Sequence, residues 1–186
     1  MHVSFGASQI EIRTWGSRAE LLSHLSQLGP SYALLGQDSE VEKVFCSATV
    51  YLPGPGDRRI GYGVVAEGHG LVPQLLLQDP QVGLMVGFNR EVVGLDAEVS
   101  RIRFRHRLDA LFWTFLATRT PDVIVAVHEI GAVALSADGA ELWRCSKDLV
   151  TDYAIVGDEL RLTFADDPPV RLALATGREV VSDQTG

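Results

Sequence analysis

The chain has 186 residues, of which 46% are apolar and 22% are charged, and its formal net charge is -8. This composition is typical of an ordinary globular protein and excludes the disordered and fibrous classes. The acidic balance disfavours general binding to nucleic acids or to anionic membranes, because neutralising phosphates requires a basic face.

The start of the chain and its two cysteines bear on where the protein works. Residues Met1 to Arg13 contain no basic segment followed by an apolar one, and no run reaches the roughly 18 apolar residues that span a bilayer. Cys46 and Cys145 lie far apart and form no metal-ligand spacing. We therefore expect a soluble, cytoplasmic protein with two buried, reduced thiols, no metal, no cofactor, no nucleic acid and no membrane partner.

One helix is predicted near the N-terminus. Ser17 and Glu20 fit a capping box, in which the serine oxygen accepts a backbone N–H and the glutamate reaches back. Leucines then follow at helical spacing from Leu21 to Leu28, and Gly29 and Pro30 end the helix. Because the opposite face of the helix is polar, we expect it to pack against a sheet.

Alternating, strand-like patterns dominate the rest of the chain. Gln9 to Trp15 alternates between apolar and polar residues. Val41 to Leu52 and Arg59 to Ala66 flank Pro53–Asp57, which is rich in proline and glycine and is typical of a turn. We predict a hairpin from Val41 to Ala66.

An apolar strand followed by a turn recurs in the second half of the chain. Its marker residues are Leu95, Leu135 and Leu174, which are spaced by 40 and 39 residues. A repeat of this length predicts β-meander units of about four short strands each.

Two segments within these units resemble the turn-and-strand element in the blades of quinoprotein-type β-propellers. The residues that carry this resemblance are Asp138–Trp143 (Asp-Gly-Ala-Glu-Leu-Trp) and Thr176–Val180 (Thr-Gly-Arg-Glu-Val). A complete propeller needs at least about four blades, and this chain has room for two or three. We therefore predict neither a quinone cofactor nor a propeller activity from these short motifs.

These patterns predict an α+β, mostly β fold. We expect a single domain over residues 1–186, with the helix and hairpin in 1–80 and the meander units in 81–186. The strands would form either one strongly bent antiparallel sheet or two packed sheets. A short second helix is predicted for Ala110–Ala117, which Asp109 could cap and which is apolar nearly all round.

The most unusual segment alternates strictly from Arg101 to Leu108. A strand here places four arginines on one face, namely Arg101, Arg103, Arg105 and Arg107. Because like charges repel, something must offset them. The alternatives are acidic side chains of the same chain, an acidic protein partner or second subunit, and a nucleotide or phosphate ligand, which suits guanidinium geometry.

Histidines supply a second set of candidates. His128 and Glu129 follow a predicted buried strand, and His69 lies in a glycine-rich loop. Histidine titrates near neutrality and could perform acid–base chemistry. However, the sequence lacks the second histidine of a zinc-protease motif, and the phosphate-loop and nucleophile-elbow motifs are also missing. A structural or surface role for these residues is the alternative.

The leading functional hypothesis is a non-catalytic binding or interaction protein of the small bacterial accessory type, which binds a protein partner or associates with itself, for example as a homodimer. The alternative is a hydrolase or phosphate-ligand enzyme that uses His69 or His128 with the arginine-lined anion site. In a third hypothesis the chain is a structural subunit that docks through Phe112, Trp113 and Phe115, although these aromatic residues could equally form core.

The acidic residues are concentrated in the last third of the chain. From Thr120 to Gly186 there are 12 acidic and 5 basic residues. We expect this excess to lie on a solvated surface.

Overall fold

The computed structural model describes residues 1–5, 8–29, 31–37, 41–54, 58–77, 83–96, 98–116, 118–120 and 122–180. Within these residues the protein is mostly β with one short helix. The helix is α1 (Arg18–Ser26). The strands are β1 (His2–Phe5), β2 (Ser8–Trp15), β3 (Tyr32–Leu35), β4 (Val44–Tyr51), β5 (Arg59–Ala66), β6 (Gln74–Leu77), β7 (Leu84–Phe88), β8 (Glu91–Leu95), β9 (Ile102–Arg107), β10 (Phe112–Leu116), β11 (Ile124–His128), β12 (Gly131–Leu135), β13 (Glu141–Ser146), β14 (Val150–Val156), β15 (Glu159–Phe164) and β16 (Val170–Ala173).

The chain divides into two compact units. The first unit comprises residues 1–89 and 93–105, and the second comprises residues 90–92 and 106–186. This division into compact units does not test whether the chain is a single domain. The single domain over residues 1–186, with parts 1–80 and 81–186, therefore stays a prediction. None of the described residues belongs to a helix that is long and apolar enough to cross a membrane.

The first unit contains a five-stranded sheet in the order β1-β2-β4-β5-β3. Its pairs are antiparallel except for β3 and β5, which run parallel. The predicted hairpin is confirmed, since β4 pairs with β5 from Val44 opposite Ala66 to Tyr51 opposite Arg59. Residues 55–57 of the predicted turn lie outside the described residues.

Helix α1 covers one face of this sheet, as its polar outer side predicts. The Ser17 side chain accepts a hydrogen bond from the backbone N–H of Glu20, so the predicted N-cap is confirmed. Leu21 and Leu25 are fully buried. A Cβ on Gly63 of β5 would lie 2.6 Å from Leu25 Cδ1, so the glycine permits this close approach of helix and strand. Pro30, the predicted helix stop, is outside the described residues.

Three successive sheets are meanders, which confirms the repeat that the leucine spacing predicts. Their strand orders are β6-β7-β8-β9, β10-β11-β12-β13 and β14-β15-β16. Leu95 and Leu135 end the third strand of their sheets, and Leu174 directly follows the third strand of the last one. All three leucines are 0% exposed.

The fourth strand of the last meander is reduced to a single bridge. Leu172 pairs with Glu179, and the backbone N–H of Val180 donates to the carbonyl of Arg171 at 2.8 Å. Trp143 of β13 forms a hydrogen bond to the end of the last meander within the second unit, because its Nε1 donates to the carbonyl of Leu174 at 2.6 Å. Gly177 has φ +66 and its Cβ would lie 2.5 Å from the Trp143 side chain, so this turn requires glycine.

Each unit has a core between the apolar faces of two sheets. In the first unit the core joins the five-stranded sheet to strands β7 and β8, through Ile10, Val50, Ile60, Tyr62, Leu84, Val86, Val93 and Leu95. In the second unit it joins the sheets β10–β13 and β14–β16, through Val125, Val127, Trp143, Leu160, Leu162, Phe164, Leu172 and Leu174. Each meander thus buries one apolar face against a neighbouring sheet.

Two predictions about the fold are wrong. Within the predicted helix at Ala110–Ala117, residues Phe112–Leu116 instead form strand β10, which pairs antiparallel with β11, and residue 117 lies outside the described residues. The Asp109 carboxylate does not cap a helix, because it binds Arg144 and Ser146, and aromatic and β-branched residues such as those of β10 favour strands. The strands also form four separate sheets, none of which is closed or strongly curled within the described residues, and neither the single strongly bent sheet nor the two packed sheets given as alternatives.

The repeat can be tested by truncating one of its marker residues. Leu135→Ala should lower the free energy of unfolding by about 2–5 kcal/mol, because a fully buried leucine leaves a cavity. Urea unfolding of the purified variant measures this loss. The matched control is Val156→Ala, since Val156 is 45% exposed and should change the stability by less than about 1 kcal/mol. Equal losses for the two variants would contradict the assigned core.

Candidate functional site

Residues Ile102–Arg107 of the arginine-rich segment form strand β9, as its alternation predicts, and Arg101 directly precedes the strand. All four arginine side chains are exposed: Arg101, Arg103, Arg105 and Arg107. The intervening Ile102, Phe104 and His106 are half-buried. Strand β9 also ends its sheet in the order β6-β7-β8-β9, so within the described residues it is an edge strand.

Acidic side chains of the same chain neutralise these arginines only in part. Arg101 Nη2 lies 3.1 Å from Asp96 Oδ2. The guanidinium of Arg103, in contrast, forms no hydrogen bond or ion pair with any described residue. Charged residues on an edge strand can simply prevent edge-to-edge aggregation, which is a structural alternative to a binding role.

The loop that leads into β9 is held by a buried tyrosine. The Tyr62 hydroxyl donates to the carbonyls of Asp96 and Val99, the latter at 2.9 Å. Burial raises the pKa of Tyr62 above its usual value, with the Asp96 charge acting in the same direction. The Asp96 carboxylate in turn accepts hydrogen bonds from the backbone N–H groups of Glu98 and Val99. Residue 101, the first of the arginines, therefore follows a well-anchored turn.

A second polar cluster, in the second unit, is centred on Arg144 of β13. Its Nη1 lies 2.6 Å from Asp109 Oδ1, its Nη2 lies 2.7 Å from Glu141 Oε2, and Nη2 lies 3.1 Å from His106 Nε2. Ser146 Oγ donates to Asp109 Oδ2 at 2.5 Å. The hydrogen bond from Arg144 holds the pKa of both Asp109 and Glu141 below their usual values.

This cluster ties an edge strand to the segment before β10, and it does not form an anion site. Two carboxylates already neutralise the guanidinium of Arg144, which leaves little positive charge for a ligand. Ser146 donates to a carboxylate whose pKa is lowered, and such a carboxylate is a weak base. The described contacts therefore do not activate Ser146 as a nucleophile.

His128 lies behind this cluster on β11 and is completely buried. Neither of its ring nitrogens has a hydrogen-bond partner among the described residues. Burial is the main cause that lowers the pKa of His128, the charge of Asp109 opposes this shift, that of Arg144 adds to it, and the net pKa is about 4. The imidazole is therefore neutral near pH 7, and a buried, unpaired polar group destabilises the folded state.

The other histidine candidates are not brought together. His69 Nε2 lies 2.8 Å from Glu67 Oε2 in an exposed pair in the first unit. Glu129 follows His128 in the β11–β12 turn, where its backbone N–H donates to the carbonyl of Leu111 at 2.9 Å. Neither arrangement places an imidazole beside a described hydroxyl or thiol nucleophile.

The aromatic candidates for an interface differ in burial. Phe112 is 1% exposed, whereas Trp113 and Phe115 are half-buried. The rings of Phe112 and Phe115 lie 4.8 Å apart, and Trp113 packs against the core of the second unit. Phe112 is thus a core residue, and its role as a docking residue stays a prediction that this burial disfavours.

A polar cluster around Glu11 in the first unit was not predicted from the sequence. Glu11 is only 5% exposed and accepts a hydrogen bond from the Tyr51 hydroxyl at 2.8 Å. Arg13 Nη2 lies 2.5 Å from Glu11 Oε1. Burial raises the pKa of Glu11, but Tyr51 and Arg13 outweigh it and lower the pKa below the usual value. The only signal in the sequence was a glutamate within an alternating strand, which does not reveal burial.

A further contact joins His24 to Thr49. His24 Nε2 lies 3.2 Å from Thr49 Oγ1, and the His24 ring stacks on Trp15 at 4.7 Å. Thr49 is 1% exposed, so its hydroxyl is not accessible to a substrate. No group of three or more histidine, cysteine, aspartate or glutamate residues in the described ranges could hold a metal ion.

Comparisons with known proteins do not assign a family. No family model matches the chain, and no curated protein matches it. Among solved structures, the computationally designed Ika4 protein matches with 14% identity and a TM-score of 0.46, over 62% of this chain and 74% of that one. The computationally designed Ika8 protein matches with 15% identity and a TM-score of 0.48, over 74% of this chain and 45% of that one. Neither match assigns a function at these values.

The unpaired imidazole makes stability depend on pH. Unfolded His128 has the ordinary pKa of 6.5 and folded His128 a pKa of about 4, so the unfolded state binds the proton first. The free energy of unfolding should fall by about 2 kcal/mol between pH 6.5 and pH 5, and by about 3 kcal/mol by pH 4. Urea unfolding at a series of pH values measures this loss.

Two variants assign this effect to His128. His128→Leu should be more stable than the wild type by about 1–3 kcal/mol at pH 7, and should lose most of the decline between pH 6.5 and pH 5. Burial also lowers the pKa of His24 and of His106, and these two histidines should give the smaller decline that remains. His69→Gln, which changes an exposed histidine, should keep the decline. A wild-type pH profile in His128→Leu would contradict the assignment.

Proposed function

We propose that this chain is a non-catalytic binding protein whose arginines on β9 and directly before it bind an acidic segment of a protein partner. The observation that carries the proposal is the exposure of arginines at alternate positions on an edge strand. The proposed site consists of Arg101, Arg103 and Arg105, which all belong to the first unit, and we call it the arginine row.

The geometry of an edge strand suits a particular mode of recognition. An extended peptide can add to the edge of a sheet, where main-chain hydrogen bonds give affinity and alternate side chains give specificity. Acidic side chains at every second position of such a peptide would lie opposite the arginine row. Cross-strand pairs of opposite charge contribute roughly 0.2–1 kcal/mol each, so three such pairs select a register without giving tight binding.

Two features favour a protein partner over a phosphate ligand. Alternate residues of a strand are about 6.6 Å apart along the chain, so the arginine row extends over about 13 Å. A row of this length matches an extended acidic segment better than a single phosphate, which is bound by convergent groups. The exposure of each arginine also differs from the concave, mostly apolar setting of small-molecule sites.

The enzyme hypothesis receives less support from the described residues. Among the described residues, the fully buried His128 has no hydrogen-bond partner, and Arg144, whose charge acts on it, is neutralised by two carboxylates. A general base has to lie within hydrogen-bond reach of the proton that it removes. Non-catalytic binding is therefore the simpler proposal.

Binding of a model peptide tests this function. A fluorescently labelled peptide of alternating glutamate and threonine should bind the wild type, and the Arg103→Glu variant should bind it about tenfold more weakly. Fluorescence anisotropy titrations at about 50 mM NaCl measure both affinities, and salt at about 500 mM should weaken binding to the wild type.

The matched control is Arg119→Glu, which changes the net charge equally at another exposed arginine. It should leave the affinity within about twofold of that of the wild type. If both variants lost affinity equally, net charge alone would explain binding and the proposed site would be wrong. Failure of the wild type to bind at low salt would also overturn the proposal.

A further inference from the structure

We propose that the acidic segment that the arginine row binds is supplied by a second copy of this chain. This inference rests on the binding function proposed above and adds the identity of the partner. The acidic surface consists of Asp148, Leu149 and residues 165–169 in the second unit, and we call it the acidic tip.

Backbone hydrogen bonds hold the acidic tip in place. The N–H of Asp166 donates to Asp148 Oδ2 at 2.8 Å, and the N–H of Ala165 donates to the carbonyl of Leu149 at 2.9 Å. All five residues of the segment 165–169 are exposed, and Leu149 is 42% exposed. Because its backbone is already fixed, binding would order few additional groups.

The tip presents its acidic side chains on a bend, so it would contact the arginine row through its side chains and not as an added strand. Its exposed segment reads Ala-Asp-Asp-Pro-Pro, in which residues 165–167 form the bend and the two prolines have no backbone N–H to donate to a sheet. Residues 148–167 contain six acidic residues and one basic residue. Neither Asp166 nor Asp167 forms an ion pair with another described residue.

The arginine row and the acidic tip are complementary in charge. Arg103 on the first surface and Asp167 on the second are both exposed, and neither has an ion-pair partner among the described residues. Asp96 already offsets the charge of Arg101, so the charge of the row that a second copy would neutralise is that of Arg103, and Asp167 would lose its isolation in the same contact. A partner that is the chain itself is also always present at a concentration equal to that of the site.

The net charge of -8 sets an upper limit on the strength of this association. Two copies repel each other at long range, so the local attraction has to exceed a general repulsion. Because salt screens both terms, the dependence on ionic strength is a poor test. Charge-reversal variants with controls of equal net charge separate the local contact from the general repulsion.

Sedimentation velocity of the full chain over a range of concentrations measures the association. The wild type should show an average mass that rises with concentration. Arg103→Glu and Asp167→Lys should each weaken association about tenfold or more, whereas the matched controls Arg119→Glu and Asp158→Lys should change it less than about threefold. An equimolar mixture of Arg103→Glu and Asp167→Lys should associate again, because each copy then offers the charge that the other lacks.

The outcomes separate this inference from the proposed function. If the wild type stayed monomeric at every concentration but bound the glutamate–threonine peptide, the second copy would be excluded and the arginine row would remain a binding site. If association occurred but the mixture showed no recovery, the charge pairing would be wrong. If the wild type neither associated nor bound the peptide, both proposals would fail.

Discussion

Each meander sheet of this chain has an apolar face that it cannot cover by itself, and burying that face is the constraint on which the rest of the structure depends. In the second unit, Val125 and Val127 of one sheet meet Leu160 and Leu172 of the next in a common core. An isolated hairpin is marginal in water, and a sheet of three or four short strands becomes stable when its apolar face is buried, as it is here. Side chains on the faces that do not pack against another sheet are then not needed for the core.

Meander sheets that pack face to face leave their edge strands unpaired. Strand β9 is such an edge, and its arginines give it a charge that discourages indiscriminate pairing with other strands. Strand β13 is another edge, and there Arg144 is fully engaged by Asp109 and Glu141. The two edges therefore use the same residue type differently, since the guanidinium of Arg144 closes an internal network while that of Arg103 forms no ion pair with a described residue.

The sequence predicted the elements whose signals are local. The capping box at Ser17, the hairpin around residues 44–66 and the leucine spacing of the meanders all depend on neighbours along the chain, and all three are confirmed. The segment after Asp109 was mistaken for a helix, because an apolar run has no clear period and a capping residue can equally bind a distant arginine. The separation into four sheets depends on which faces meet, which alternation alone does not encode.

The polar clusters were beyond prediction for a related reason. Arg144 lies on β13, His106 on β9 and Asp109 between β9 and β10, so the contacts among them join residues that are more than 30 positions apart in the sequence or belong to different elements, and no local spacing predicts them. His128 was identified as a candidate, but its lack of a partner is a property of its three-dimensional surroundings. The alternation of the arginines, in contrast, was visible at once, because exposure on a strand follows directly from a period of two.

The indole of Trp143 makes the core of the second unit observable. Its Nε1 is bound to the carbonyl of Leu174, and its ring is packed beside Gly177, so it belongs to one sheet and is held by the next. Separation of these two sheets would expose the ring to water and shift its fluorescence emission to longer wavelengths. The chain thus carries an intrinsic optical probe for the docking of its last two sheets.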